Sequence, residues 1–398
     1  LQARQAHNMS NSRKLMMAAA GAGGGGRPDD DGTRELWAWG RGTFGGNGQG
    51  NTTSYSSPVQ VGSLTTWNND LGAVPPFSLQ NGKLYTWGTN PFGQFGLGNT
   101  TNYSVPVQVG SLTDWYAVHS RYVTQAVKSD NTLWAFGKNN RGQSGFGDTI
   151  YRSSPVQVGS LTDWEWVESS SETTLAVKTD GTLWSWGRNN YGVLGLGLSP
   201  AYLAARQSSP VQIGALTSWS LGPDKISVGP SAAAAVRSDG TLWVWGNGRN
   251  GRLGTGNTAS ASSPVQVGAL TNWSSVSVGK SIQNTWAIKT DGTLWAWGYN
   301  NVGQLGLGNT ISYSSPVQVG TDEDWEKIQG GGSSSSPCMA IKTDGTLWTW
   351  GGNSFGMNGL GASAAPVSVP TQVGELNTWR NVSHGGGSSN TFAVKQVG

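Results

Sequence analysis

Apolar and polar positions alternate in short runs along this chain, and the runs return in the same order again and again. In the stretch from Ala287 to Gly298, Ala-Ile-Lys-Thr-Asp-Gly-Thr-Leu-Trp-Ala-Trp-Gly, two alternating runs flank an Asp-Gly pair. Alternation with a period of two marks a strand. An Asp-Gly pair between two such runs marks a hairpin, because both residues tolerate the positive φ that a type I′ turn demands. Pairing across a two-residue turn sets Ile288 opposite Trp295 and Trp286 opposite Trp297, with Lys289, Leu294 and Ala296 on the other face. Both faces are then largely apolar. A small sheet can cover both only by packing against a copy of itself on each side, as the blades of a propeller do.

The copies can be counted. The motif Leu-Trp-x-Trp-Gly begins at Leu36 and returns with its second aromatic at Trp87, Phe136, Trp186, Trp245, Trp297 and Trp350. Successive copies stand roughly 48 to 59 residues apart, the near-constant period of a radial or stacked repeat. A Pro-Val-Gln-Val element counts the same way, from Pro58 through Pro106, Pro155, Pro210, Pro264 and Pro316 to Pro370. Two independent markers agree on seven. The ends supply complementary halves of one hairpin: Phe392-Ala393-Val394-Lys395 matches the strand before the turn, and Leu36-Trp37 the strand after it. Their pairing closes the ring and removes a sheet edge. The expected fold is all-β: a seven-bladed β-propeller over residues 33–398, closed by its N- and C-terminal strands, behind an extended tail of residues 1–32.

Leu-Trp-x-Trp-Gly, then Asn-x-x-Gly-Gln-Leu-Gly-x-Gly, then a Pro-Val strand, resembles the repeats of the regulator of chromosome condensation family, and the likeness extends over residues 33–398. The resemblance implies the seven-bladed fold. It leaves function open, since such propellers serve as nucleotide exchange factors, inhibitors, adhesins and structural modules. The family's exchange factor would imply a basic chromatin-contacting tail and a protruding wedge for a small GTPase; no insertion here has the size of a wedge. The regular, nearly identical units are similar to those of bacterial and phage open reading frames.

Composition narrows the chemistry. Charged residues make up 12% of the chain while Gly reaches 61 and Trp 21, a bias toward tight turns and buried aromatics. The net charge of +3 is spread along the chain and gives no electrostatic reason to expect nucleic acid as a partner. The single cysteine, Cys338, has no internal disulfide partner, and no run of eighteen apolar residues predicts a membrane span. His7, His119 and His384 stand in unrelated contexts without metal-ligand spacing or a paired nucleophile. The recurrent Asp180, Asp239, Asp291 and Asp344 precede glycine in hairpins and read as turn residues. No glycine-rich loop has a Gly-Lys-Ser/Thr ending, so none reads as a phosphate cradle. The expectation is a non-enzymatic protein with no cofactor and no metal. Nineteen of the tryptophans belong to repeat motifs and read as scaffold. The recurrent Lys128, Lys178, Lys289, Lys342 and Lys395 read as stems covering apolar strand surface with heads in solvent.

Departures from the repeat carry the candidate binding residues. The fourth unit inserts Gly-Leu-Ser-Pro-Ala-Tyr-Leu-Ala-Ala-Arg before its Pro-Val strand, offering Tyr202, Leu203 and Arg206 on a surface loop, where binding function tends to reside. The tail holds Leu15, Met16 and Met17, apolar residues with no blade to bury them, ahead of the glycine linker Gly23 to Gly26. The segment from Met9 resembles the leading part of marine-phage structural proteins. The expected function is therefore a structural or adhesive propeller of a phage particle, located in the virion. Residues 1–32 would anchor it to other virion structural proteins, and its blade loops would reach a host-surface protein or glycan. A secreted or cell-surface propeller binding a protein or glycan is the alternative, and a regulator of a GTPase or other enzyme is a third.

Overall fold

The computed structural model describes residues 33–68, 77–198, 206–280, 283–331, 336–361, 366–385 and 390–397. Seven antiparallel sheets follow one another around a ring. Six have four strands, and the sheet over residues 77–108 has three among the described residues. Blade 4 shows the plan: an inner strand Trp164–Ser169, a second strand Thr173–Lys178, a third Leu183–Arg188 and an outer Arg206–Gln212. The second strand carries the Ala-Val-Lys pattern, the third Leu-Trp-x-Trp-Gly and the outer one Pro-Val-Gln. Inner strands of neighbouring blades pack against one another. The expected closure is present in blade 1, where Arg34–Gly40 pairs with Asn390–Gln396 through Trp37 opposite Ala393.

The core consists of seven clusters, each shared by two adjacent blades, including one between blades 7 and 1 and one between blades 1 and 2. Among the described residues no blade has a private core, so the ring is the stable unit. The second aromatic of each third strand stands at the centre of its cluster, and Trp39, Trp87, Phe136, Trp186, Trp245, Trp297 and Trp350 are all 0% exposed. Such a side chain removes 150–250 Å² from water, about 4–6 kcal/mol at ~25 cal/mol/Å².

The hairpin register differs by one residue from the sequence expectation. Ile288 lies opposite Leu294, Ala287 opposite Trp295 and Trp286 opposite Ala296. The turn has three residues, Thr290-Asp291-Gly292, between Lys289 and Thr293, whose backbones are joined by a 3.0 Å hydrogen bond. Gly292 alone takes a positive φ, at 79°, so the turn is a type I turn followed by a left-handed glycine and not type I′. Asp291 makes this turn by accepting the Thr293 backbone N–H at 3.0 Å and its hydroxyl at 2.7 Å; that hydroxyl accepts the Trp295 indole N–H at 2.9 Å. Asn81-Gly82 is the two-residue exception, with φ of 50° and 74°, and Gln80 pairs directly with Lys83. The observed register puts Trp286, Ile288, Leu294 and Ala296 toward blade 7, and Ala287 and Trp297 toward blade 5.

All second-to-third hairpins project from one side of the ring, the turn face. The glycine-rich connections from third to outer strands project from the other, the loop face. Each outer strand bulges where its proline, preceded by serine or valine, passes the central aromatic; in blade 4 Gly187 pairs with Gln207 and Ser185 with Val211. Proline and a bulge on an exposed edge both discourage pairing with another chain.

Candidate interaction faces

The loop face is organised by its seven equivalent connections. An asparagine at the head of the connection pins several of them. Asn300 accepts the Leu305 backbone N–H at 2.9 Å and donates to the Asn309 carbonyl at 3.0 Å, and Asn139 does the same for Ser144 and Asp148. The pinned loop thrusts one residue outward at its tip. These tips are Phe44, Phe92, Arg141, Tyr191, Asn250, Val302 and Phe355. Phe44, Tyr191 and Phe355 hold left-handed backbone, φ 56° to 60°, which costs a non-glycine residue about 1–2 kcal/mol. All three rings are nonetheless exposed, at 58, 47 and 53%. Burial does not offset their strain. Arg41 of blade 1 lies over the Phe355 ring of blade 7 at 5.0 Å, joining two neighbouring tips.

Strand direction sorts the charges between the faces. Among the described residues ten Arg and Lys side chains lie toward the loop face, against the carboxylates Asp148, Glu168 and Glu172. Toward the turn face lie eleven basic and fifteen acidic side chains. The three loop-face carboxylates are engaged. Glu172 receives Arg188 at 2.5 Å, with Lys138 and Arg141 at 3.7 and 3.9 Å, and Arg152 grips Asp148 with both terminal nitrogens. That grip draws the Asp148 carboxyl down to about 2.

A polar belt lines the inner strands just below the loop face. His119, Glu168, Ser227, Ser277, Gln329 and Ser383 occupy one register position in blades 3, 4, 5, 6, 7 and 1. The belt is stitched across blades: Ser169 N–H to His119 Nδ1 at 3.0 Å, Val278 N–H to Ser227 Oγ at 3.0 Å, and Gly330 N–H to Ser277 Oγ at 2.9 Å. Lys280 pairs with Glu168, and Arg121 donates to the Lys280 carbonyl. Burial holds His119 well below its ordinary value, assisted by Lys280 and Arg121, and raises Glu168 against the opposing pull of Lys280. Ser169, His119 and Glu168 stand in a row that superficially matches a nucleophile, base and acid. The Ser169 hydroxyl lies 3.2 Å from His119 Nδ1, but the backbone N–H of Ser169 already donates to that lone pair at 3.0 Å, which leaves the nitrogen a poor base for the hydroxyl proton. Nε2 is 3.7 Å from Glu168, and Ser169 is 0% exposed. The row is built to join strands and lacks the geometry of acyl transfer.

On the turn face the recurrent lysines do not reach solvent as expected. Lys178 lies over Trp164 and Trp184 at 4.9 and 4.3 Å and meets Asp163 at 3.1 Å. Lys128, Lys289 and Lys342 are equally buried between their tryptophan pairs. The connections that enter the inner strands expose a leucine at one equivalent position, Leu64, Leu112, Leu161, Leu216, Leu270 and Leu376, at 39 to 47%. Asp322 replaces it before blade 7.

Of the candidate binding residues, Arg206 begins the outer strand of blade 4 on the loop face, exposed and paired in register with Arg188. Leu15, Met16, Met17, Tyr202 and Leu203 lie outside the described residues. Sequence reasoning missed the polar belt, whose signal is the fourth position after the Leu-Thr-x-Trp tryptophan in Trp115 to His119 and Trp164 to Glu168. Among the described residues no group of three His, Cys, Asp or Glu could hold a metal ion, and no helix is long and apolar enough to cross a membrane.

Comparison with known proteins ties this architecture to relatives. Solved structures of the same shape include Prp20p of Saccharomyces cerevisiae, described with its binding to Gsp1p and histones (TM-score 0.76, 16% identity, 92% of each chain covered). Human WBSCR16 is similar to the same degree (TM-score 0.76, 18% identity, 91% of this chain and 100% of that one). In sequence the chain is 30% identical to the ultraviolet-B receptor UVR8 of Arabidopsis thaliana over 174 residues, 44% of this chain and 39% of the receptor. It is 31% identical to the probable E3 ubiquitin-protein ligase HERC6 of Homo sapiens over 181 residues, 44% of this chain and 17% of the ligase. The matches thus span well under half of those two relatives. They also correct the expected function. The relatives are eukaryotic proteins, a light receptor and a ligase, and not structural or adhesive parts of a phage particle. The model of the regulator of chromosome condensation (RCC1) repeat matches residues 81–121, 130–177, 180–235, 239–282 and 291–336, more than half of the chain, and a second model of the repeat matches residues 224–252. The repeat agrees with that match, and the chain belongs to the regulator of chromosome condensation (RCC1) repeat family.

Proposed function

We propose that this propeller is a non-enzymatic protein-binding module whose loop face receives an acidic surface of a protein partner. The observation that carries this reading is the unequal sorting of charge, ten basic side chains against three engaged carboxylates on the loop face. A fixed field of one sign speeds encounter with a partner of the other and sets its orientation. The strained, exposed Phe44, Tyr191 and Phe355 favour a protein over nucleic acid. They offer large apolar anchors of the kind that dominate protein interfaces, and strain without local benefit is expected where binding supplies it. The binding of Gsp1p, histones and Kap60 by one protein of this shape, Prp20 (yeast RCC1), supports a protein-recognition role.

The test is fluorescence anisotropy with a labelled glutamate-rich peptide carrying one phenylalanine. A duplex oligonucleotide of the same net charge serves as the competing ligand. Saturable peptide binding that weakens at least tenfold in Arg141→Glu with Arg249→Glu, and again in Phe44→Ala with Phe355→Ala, supports the reading. Tighter binding of the oligonucleotide, indifferent to the phenylalanines, moves the assignment to nucleic acid.

A further inference from the structure

The turn face has no role in the function proposed above, yet it is not a neutral surface. Six of its seven entering connections expose a leucine, and the seventh shows that the fold does not require one. With Asp322 in that place, Trp325 still donates its backbone N–H to the Gly292 carbonyl at 3.0 Å, as Trp273 does to Gly240 at 3.0 Å. The hydrogen bond that seats the inner strand is therefore indifferent to leucine. What the leucines add is a ring of apolar contacts on a side where fifteen carboxylates outnumber eleven basic groups.

We infer that two copies of this chain stack head to tail, the loop face of one seated on the turn face of the next. Charge selects this arrangement. Two loop faces would bring one excess of cations (ten basic against three acidic side chains) against another, and two turn faces one excess of carboxylates (fifteen against eleven) against another, whereas loop on turn brings the cationic excess against the anionic one. Geometry permits it, because both faces repeat once per blade. The loop tips and the turn-face leucines follow the same seven-step rotation, so exposed Phe44, Ile150, Ile311 and Phe355 can meet leucines from several blades at once. The contact is heterologous, the pair keeping one free loop face and one free turn face, so association continues past the dimer. It also occupies the loop face, so stacking competes with any other partner there. The inference rests on the same sorting of charge but needs no such partner, and its test contains none.

The experiment is sedimentation velocity on the full chain with two variants altered at exposed or half-exposed positions. One carries Arg141→Glu and Arg249→Glu on the loop face, the other Leu161→Lys and Leu270→Lys on the turn face. Circular dichroism confirms that each is folded. If either pair disturbs the fold, Arg206→Glu and Leu376→Lys take their places. The wild type is expected to sediment faster as concentration rises at low salt and to revert to monomer in high salt. Each variant alone is expected to self-associate at least tenfold more weakly. An equimolar mixture of the two is expected to form dimers and nothing larger, because each supplies one intact face. A wild type that stays monomeric at low salt overturns the inference. So does either variant that self-associates alone as the wild type does, since that pattern belongs to like faces pairing or to another surface.

Discussion

Trp39 donates its indole N–H to the Met357 carbonyl at 2.7 Å, across 318 positions of sequence. The same bond recurs within the ring, as from Trp245 to Val193 and from Trp297 to Arg252. At Trp39 it joins the last blade to the first. Removing the strand that seats Trp39, by deleting Thr391 to Gly398, uncovers the edge of Arg34–Gly40 and opens two shared clusters at once. The thermal midpoint is expected to fall by many degrees with a broader transition, as scanning calorimetry will show. An unchanged transition would contradict closure through this pair.

Gly356 and Gly374 separate two costs that glycine can hide. Both have positive φ, 74° and 63°, but a Cβ at Gly356 would lie 2.6 Å from the Ser56 Cβ across the closing junction, whereas one at Gly374 meets nothing within 4 Å. Alanine at Gly374 should cost only the left-handed conformation, about 1–2 kcal/mol. Alanine at Gly356 should cost more by denaturant titration, because the neighbouring blade must move. Equal losses would mean that the junction yields freely.

Phe44→Gly and Phe355→Gly should each leave stability unchanged or raise it by up to about 1 kcal/mol, since relief of left-handed strain exceeds the small burial lost from a half-exposed ring. The same changes should weaken binding of the acidic peptide. Urea midpoints and anisotropy on the same samples test this. A clear loss of stability would show that the rings serve the fold.

His384 is 1% exposed, with Nδ1 beside the Thr391 hydroxyl at 3.2 Å, and burial lowers its imidazole to about 3. In the unfolded chain a histidine titrates at about 6.5. Between these values the unfolded chain takes up a proton that the folded ring refuses. Stability from this residue is therefore complete above about 6.5 and declines as pH falls below it. Glu168, raised by burial, acts in the opposite direction, so the informative quantity is the difference between wild type and His384→Gln. Urea unfolding should show the wild type losing more stability than the variant between neutral pH and pH ~4. Parallel loss would refute the assignment.

Much of the fold could be read because the repeat is written in residues that the ring cannot do without. Trp39 and its equivalents fill the shared clusters, and the split between Leu36-Trp37 and Ala393-Val394 names the closing blade. The register slipped by one because Asp291-Gly292 and Asn81-Gly82 look alike, yet only Asn81 takes positive φ; the Asp291 carboxylate instead holds the Thr293 N–H and lengthens the turn. The lysine heads were misplaced for a related reason. With the register corrected, Lys289 shares a face with Trp295 and sits 3.7 Å from its ring. The polarity of the two faces was hidden because Lys138 and Asp130, only eight positions apart in sequence, leave opposite ends of the strand Leu133–Gly137. Only strand direction separates them.

The pairing of Arg34 with Gln396 places the two ends of the ring side by side at the turn face. A force that draws those ends apart meets the hydrogen bonds of that strand pair singly, starting at Arg34, instead of loading all of them in parallel. The ring should therefore open mechanically as a zipper, blade 1 first, at a force well below that required to shear the same two strands along their length. Tethered by both ends, this protein would lose its closing blade, and with it the first loop-face tip, while the other six blades still hold their sheets.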